Sequence, residues 1–183
     1  SLALLTRRAL IDADFASAAT LAQQSVAATT EKGSLSNHIF AWAYLAIART
    51  HLGDLAGARA ALAEAKQNAT ASKLESLHAR NALAESLIAL AAGDAQAAYA
   101  AQSRYLPERV TGNPRFWHFA AWVVAARAQL ALGDTTASLA LCDRVLAEAE
   151  RTAFNLEASL WVAQAEHCRA AALDKSGRGA DAE

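Results

Sequence analysis

The side chains best suited to chemistry in this sequence are five histidines, two cysteines and eighteen dispersed carboxylates. Glu75 and His78 stand three positions apart, so on a helix they share one face, where both could ligate iron. A di-iron bundle requires a second Glu-x-x-His motif and two further glutamates, and the sequence holds no second such motif. We therefore predict no metal site at this pair.

Three of the histidines, His38, His78 and His118, follow one another at one constant interval. Metal ligands must converge within a few Å, whereas packed helices lie about 8–10 Å apart. A shared capping or packing position is therefore the favoured interpretation. A pH-sensitive or ligand-facing stripe is the alternative, because histidine titrates near neutrality.

Signatures of common enzymes are missing from the sequence. It has no P-loop, no GxGxxG, no HExxH and no GxSxG, so nucleotide, zinc and serine-hydrolase chemistry have no local support. Cys142 and Cys168 form no CxxC motif, which favours core packing over a disulfide framework. The sequence predicts a protein that is not an enzyme and that holds no metal and no cofactor.

Composition excludes several further classes. The 183 residues are 54% hydrophobic with a net charge of −1, too apolar for a disordered chain. Charged or polar residues interrupt every apolar run before it reaches the ~20 residues that span a bilayer. Basic residues are mixed with acids, and only Arg7 and Arg8 are adjacent, which disfavours direct nucleic-acid or membrane binding. With no secretory signal, a cytoplasmic location is expected.

The elements that carry these side chains follow a repeat. The dipeptide Gly-Asp recurs at the same interval as the histidines, and a degenerate Ala-Asp copy precedes it by one further interval. The four copies are Ala13-Asp14, Gly53-Asp54, Gly93-Asp94 and Gly133-Asp134. Their period of about 40 residues lies in the range typical of solenoids. Solenoids usually act by offering surface rather than by catalysis.

One period contains two helices. Apolar residues fall at helical spacing over 40–52 and again over 55–69. Gly53 suits the left-handed end of the first helix, and Asp54 can cap the free N–H groups of the second. The same logic predicts N-caps at Asp94, Asp134 and Asp14.

These residues resemble the tetratricopeptide repeat. The spacing of its signature is matched in the first full unit by Trp42, Leu45, Gly53, Ala58, Leu62 and Ala65. The third unit keeps Trp122 and Gly133, but has Ser138, Cys142 and Val145 where the family places Ala, Phe and Ala. The second keeps Gly93 and Ala98, and departs at Ala82 and Tyr105. The resemblance implies an all-α, right-handed superhelix of antiparallel helix pairs.

The period exceeds the tetratricopeptide length of about 34 residues. In its repeat length and in the residue pattern of its helices, the chain is similar to the longer repeats of MalT-type, ATP-dependent LuxR-family bacterial regulators. The resemblance implies a protein-interaction or inducer-sensing module in signalling and transcription regulation. The alternative is a free-standing scaffold that assembles a protein complex. A P-loop ATPase and a helix-turn-helix in the same polypeptide would favour the regulator.

The period also sets the expected domain organisation. Residues 1–183 are expected to form a single repeat domain and a fragment of a longer protein. Its parts are a partial unit 1–33, full units 34–73, 74–113 and 114–153, and a partial unit 154–183.

In tetratricopeptide arrays the first helices line the concave face, and this analogy supplies the candidate binding residues. They are Phe40, Ala43, Ile47, Arg80, Leu83, Leu87, Val123, Arg127 and Leu130. Four aromatic residues lie within 116–122. Because they span more than one face of a helix, at least one is expected to point away from the core, and Trp117 is the candidate for this exposed contact. An apolar groove with isolated Arg80 and Arg127 suits an amphipathic helix from a protein partner or the same polypeptide, or a small-molecule inducer.

Overall fold

The computed structural model describes residues 1–32, 34–106, 116–151 and 156–177. Within these ranges the chain is all-helical, with nine helices and no strand. They are α1 (Leu2–Ile11), α2 (Phe15–Lys32), α3 (Leu35–His51), α4 (Leu55–Ala69), α5 (Glu75–Ala91), α6 (Ala95–Ser103), α7 (Phe116–Ala131), α8 (Thr135–Arg151) and α9 (Leu156–Lys175). None of the helices in this part of the chain is long and apolar enough to cross a membrane. Pro107, Pro114 and the segment after Gly177 lie outside the described residues.

The packing divides the chain into two compact units, Ser1–Gly93 and Asp94–Glu183. Helices α1 to α5 belong to the first unit, and α6 to α9 belong to the second. The boundary falls at a Gly-Asp turn, inside the predicted repeat 74–113.

In the first unit, α3 packs against α1, α2, α4 and α5. Its residues from Ala43 to Ala48 are all buried, because apolar side chains occupy every face of this stretch. Helix α4 is amphipathic instead. It buries Ala58, Leu62 and Ala65 and leaves the other side to solvent, as expected for an outer helix that contributes one stripe to the core.

The second unit is organised around α7, which packs against α6, α8 and α9. Its residues from Phe119 to Ala126 are buried without interruption. Helix α8 has one buried stripe, formed by Ser138, Cys142 and Val145. Each unit therefore has a nearly enveloped helix, α3 or α7, that packs against a helix with one buried face, α4 or α8.

The turns confirm the predicted caps. Gly53, Gly93, Gly133 and Gly177 all have φ between +73° and +88°, and Ala13 adopts φ of 57°. The aspartates of the four repeat turns accept hydrogen bonds from backbone N–H groups three positions on. These bonds are Ser17 to Asp14 at 3.1 Å, Gly57 to Asp54 at 2.8 Å, Ala97 to Asp94 at 2.9 Å and Ala137 to Asp134 at 2.8 Å. Each of these four turns ends one helix in the left-handed region and caps the next.

Burial repeats with the same period. Ala58, Ala98 and Ser138 occupy equivalent positions of three successive repeats, and all are fully buried. Leu62, Gln102 and Cys142 form a second buried series one helical turn later. Gln102 therefore brings an amide to a core position that is apolar in the repeats before and after it.

Candidate functional site

The most distinctive group in the first unit is the guanidinium of Arg80 on α5, a residue that is only 7% exposed. Its Cζ lies 4.7 Å from the centroid of the Tyr44 ring and 5.4 Å from that of Phe40. Both distances fall within the range of a favourable cation–π contact. We call Phe40, Tyr44 and Arg80 the arginine–aromatic cluster.

Two helices position this cluster. Phe40 and Tyr44 are one turn apart on α3, so they share a face, and their ring centroids lie 6.4 Å apart. Helix α5 packs against α3, and Arg80 follows Phe40 by one repeat period. Equivalent positions of two successive first helices thus hold an aromatic ring and the cation that stacks on it.

The cluster tolerates a buried charge for a physical reason. Guanidinium is more weakly hydrated than ammonium and stacks well on aromatic faces, and a desolvated cation–π contact contributes about 2 kcal/mol or more. A guanidinium that stacks through its faces keeps its N–H donors in its own plane. Such a group can orient a carboxylate or a phosphate. Phe40 is only half-buried, so the cluster reaches the surface of the unit.

Asn81 adds a second polar group beside Arg80 in the chain. The residue is 3% exposed, and within the described residues neither its amide nitrogen nor its amide oxygen has a hydrogen-bond partner. An unsatisfied buried polar group costs about 1–3 kcal/mol. The same helical turn of α5 therefore carries a buried cation and an unsatisfied amide.

The remaining predicted residues of the first unit belong to its interior. Ile47, Leu83 and Leu87 lie on α3 and α5 and are buried, although each retains a few per cent of exposed surface. Ala43 has none. Of the predicted set in this unit, only Phe40 offers substantial side-chain surface.

In the second unit the predicted residues lie in different environments. Val123 is fully buried and presents no side-chain surface, whereas Arg127 is exposed. Trp117 is half-buried, with its ring centroid 5.7 Å from that of His118, and Leu130 is half-buried against the core of this unit. Surface for a partner is thus available at Trp117 and Arg127 rather than at Val123.

The histidines make local contacts. His38 Nε2 accepts a hydrogen bond from Trp42 Nε1 at 3.0 Å, which leaves Nδ1 to donate to Thr29 Oγ1 at 3.0 Å. His78 Nε2 donates to the carbonyl oxygen of Ser72 at 2.8 Å, and the His118 ring lies 6.1 Å from that of Trp122. These contacts support packing positions. In the part of the chain that the structure describes, no group of three or more His, Cys, Asp or Glu side chains could hold a metal ion.

Sequence reasoning missed Tyr44 and Asn81. A signal for Tyr44 was present, because it lies one turn after Phe40 and so shares the face that meets Arg80. Asn81 is one period after Ala41 and one before Ala121, and a polar residue in a column of buried alanines was also visible.

Comparison with known proteins identifies no relative of this chain. None of the protein-family models, curated proteins or solved structures compared with the chain matches it.

Proposed function

We propose that the chain is a tetratricopeptide-like solenoid, a right-handed superhelix of antiparallel helix pairs with a period of about 40 residues. Packing within each unit supports this. In the first unit α3 contacts both α1 and α5, and in the second α7 contacts α9. First helices of successive pairs therefore lie side by side, as stacking of repeats requires.

For function, we infer a non-catalytic module that binds a protein segment or senses a ligand, within a multidomain bacterial regulator of the MalT type. The observation that carries this inference is the arginine–aromatic cluster. The Arg80 guanidinium, stacked on Tyr44 and on the half-exposed Phe40, places a positive charge beside an aromatic ring, which favours an anionic group that arrives with apolar surface.

The chemistry of the cluster favours one class of ligand. A carboxylate supplies two acceptor oxygens for the guanidinium plane, and an amphipathic helix supplies aliphatic side chains for the Phe40 ring. We therefore propose that the ligand is an amphipathic helical segment with an Asp or Glu among its apolar residues.

The proposal can be tested with a displayed library of amphipathic helical peptides that carry Asp or Glu at varied positions. Peptides enriched on the chain are labelled, and their affinity is measured by fluorescence anisotropy. We expect Phe40→Ala to weaken binding at least about tenfold, as for loss of an aromatic anchor. Leu35→Ala is the matched control, because Leu35 is an exposed apolar residue on the same helix.

Two outcomes would contradict the proposal. One is enrichment that does not depend on the acidic residue of the peptide. The other is equal affinity for the Phe40→Ala and Leu35→Ala variants. The alternative of a free-standing scaffold uses the same chemistry, and the domains encoded in the same polypeptide distinguish it from a regulator.

A further inference from the structure

The two cysteines of the chain meet in the core of the second unit. Cys142 on α8 and Cys168 on α9 are both free and buried, and they pack together with Ala126 of α7. Their thiols hydrogen bond to one another. Because the sequence contains two cysteines in all, every thiol of the chain takes part in this one contact.

Neighbouring contacts fix the register of α8 and α9 at this point. Arg169 Nε lies 2.8 Å from Asp143 Oδ1, so the residue after each cysteine is joined to its counterpart across the two helices. Ser138 Oγ, one turn before Cys142, lies 3.6 Å from Cys168 Sγ. The exposed Arg169–Asp143 pair contributes little energy, but together with the buried Ser138–Cys168 contact it places the two cysteines on the facing sides of α8 and α9.

The two thiols differ in acidity and in access. The hydrogen bond from Cys142, a further one from Ser138 and the positive charge of Arg127 lower the pKa of Cys168 to about 6, although burial opposes this shift. Hydrogen bonding to Cys168 and burial raise the pKa of Cys142. Cys168 is also 3% exposed whereas Cys142 has no exposed surface. The cysteine with the lower pKa is thus also the one that retains some exposed surface.

We propose that Cys168 is a peroxide-reactive cysteine and Cys142 its resolving partner, and that their oxidation forms a disulfide joining α8 to α9. In the first step the Cys168 thiolate attacks one oxygen of hydrogen peroxide. An S–O bond forms, the O–O bond breaks, hydroxide leaves, and Cys168 becomes a sulfenic acid.

In the second step the Cys142 sulfur, losing its proton, attacks the sulfur of the sulfenic acid. The S–S bond forms, the S–O bond breaks, and the departing hydroxide takes the proton and leaves as water. Two thiols and one hydrogen peroxide thus give one disulfide and two waters, with the sulfurs oxidised and the peroxide reduced. The product is an intramolecular disulfide that cross-links α8 to α9, and no second protein molecule takes part.

The test treats the reduced, folded chain with hydrogen peroxide, alkylates the remaining thiols and measures the intact mass. The expected product has lost two hydrogens and both alkylation sites together, and dithiothreitol restores them. In Cys142→Ser the resolving thiol is missing, so dimedone should label Cys168 as the sulfenic acid. Cys168→Ser should react at least about tenfold more slowly, because its one remaining thiol, that of Cys142, has no exposed surface. Circular dichroism shows whether each variant is folded. Cys142→Ala or Cys168→Ala replaces a serine variant that fails to fold.

Three results would overturn the proposal. The first is a folded chain that keeps both thiols at peroxide doses that oxidise the urea-unfolded chain. The second is oxidation that gives only intermolecular dimers on a non-reducing gel. The third is dimedone labelling of Cys142 in Cys168→Ser with none of Cys168 in Cys142→Ser, which would reverse the roles of the two cysteines.

Discussion

Arg80 follows Phe40 by one repeat period, and its guanidinium carbon lies 5.4 Å from the centroid of the Phe40 ring. The contact joins the first helices of two successive repeats in the same compact unit. Because the cation is also stacked on Tyr44, its removal takes away two cation–π contacts and leaves a space between the helices. The arginine–aromatic cluster therefore stabilises the packing of α3 against α5 and is also the candidate binding site.

We expect Arg80→Ala to lower the free energy of unfolding by about 2 kcal/mol, the scale of a desolvated cation–π contact. Arg127→Ala should change it by less than about 0.5 kcal/mol, because Arg127 is exposed, while weakening the binding of any peptide that uses this arginine. Urea denaturation of the two variants measures the difference. Equal losses of stability in Arg80→Ala and Arg127→Ala would show that the aromatic rings do not stabilise the Arg80 guanidinium.

The aspartate caps give a second prediction. Asp54 accepts a hydrogen bond from the Gly57 N–H at 2.8 Å, so Asp54→Ala should cost about 1 kcal/mol of stability. Asp54→Asn is the matched control, because asparagine caps about as well as aspartate. The same pair of changes at Asp94 and Asp134 should give the same pattern. Denaturation midpoints unchanged by all three alanine variants would contradict the caps.

Gly57 provides a prediction about one side-chain conformation. A Cβ at this position would clash with Asp54 Oδ2, the oxygen that pairs with Arg49 at 3.7 Å. Ala97 and Ala137 occupy the equivalent positions with their caps intact. Gly57→Ala should therefore turn the Asp54 carboxylate, lose the Arg49 pair and keep the cap.

The net effect of Gly57→Ala should be a gain of stability of up to about 1 kcal/mol, the amount that a helix gains when alanine replaces glycine. The half-exposed ion pair that is lost contributes little. Denaturation of the single variant and of Gly57→Ala in an Arg49→Gln background separates the two effects. A loss of stability in both backgrounds would mean that the cap itself has broken.

The pKa of Cys168 leads to a prediction about pH. The folded value of about 6 lies below the ordinary value of 9.0, so between pH 6 and pH 9 the unfolded chain binds a proton that the folded chain does not. Stability must then rise with pH across this window, and this contribution is lost as pH falls through 6. Urea midpoints under reducing conditions at several pH values should rise more steeply for the wild type than for Cys168→Ser. Parallel curves would show that the folded chain holds no low-pKa thiol.

The helix pairs can be predicted from the sequence because each is encoded locally. The apolar pattern predicts the second helix of the first full unit over 55–69, and the structure shows it at Leu55–Ala69. Here Gly53 and Asp54 determine the turn, and an alanine-rich stripe determines the buried face. Local capping chemistry and periodicity depend on neighbours only a few residues away, so they can be derived without knowledge of tertiary contacts.

The environment of individual side chains cannot be predicted in the same way. Val123 lies on α7, where apolar residues occupy all faces, so periodicity does not distinguish a groove position from a core position. The burial of Arg80 depends on rings supplied by the preceding repeat, and that contact is visible only when the repeats are aligned one beneath another. Gln102 is similar, because only its apolar equivalents Leu62 and Cys142 reveal that its site is buried.

Ala13 shows what the repeat preserves. It adopts φ of 57° at the turn where later repeats have glycine, although an L-residue with a side chain is disfavoured in that region by roughly 1–2 kcal/mol. The turn at Ala13 therefore has a positive φ like the later turns, although it lacks the glycine that best accommodates this angle. In the described part of the chain, φ is positive at five turns, and glycine occupies four of them. Divergent copies of this repeat would be detected more sensitively by torsional pattern than by residue identity.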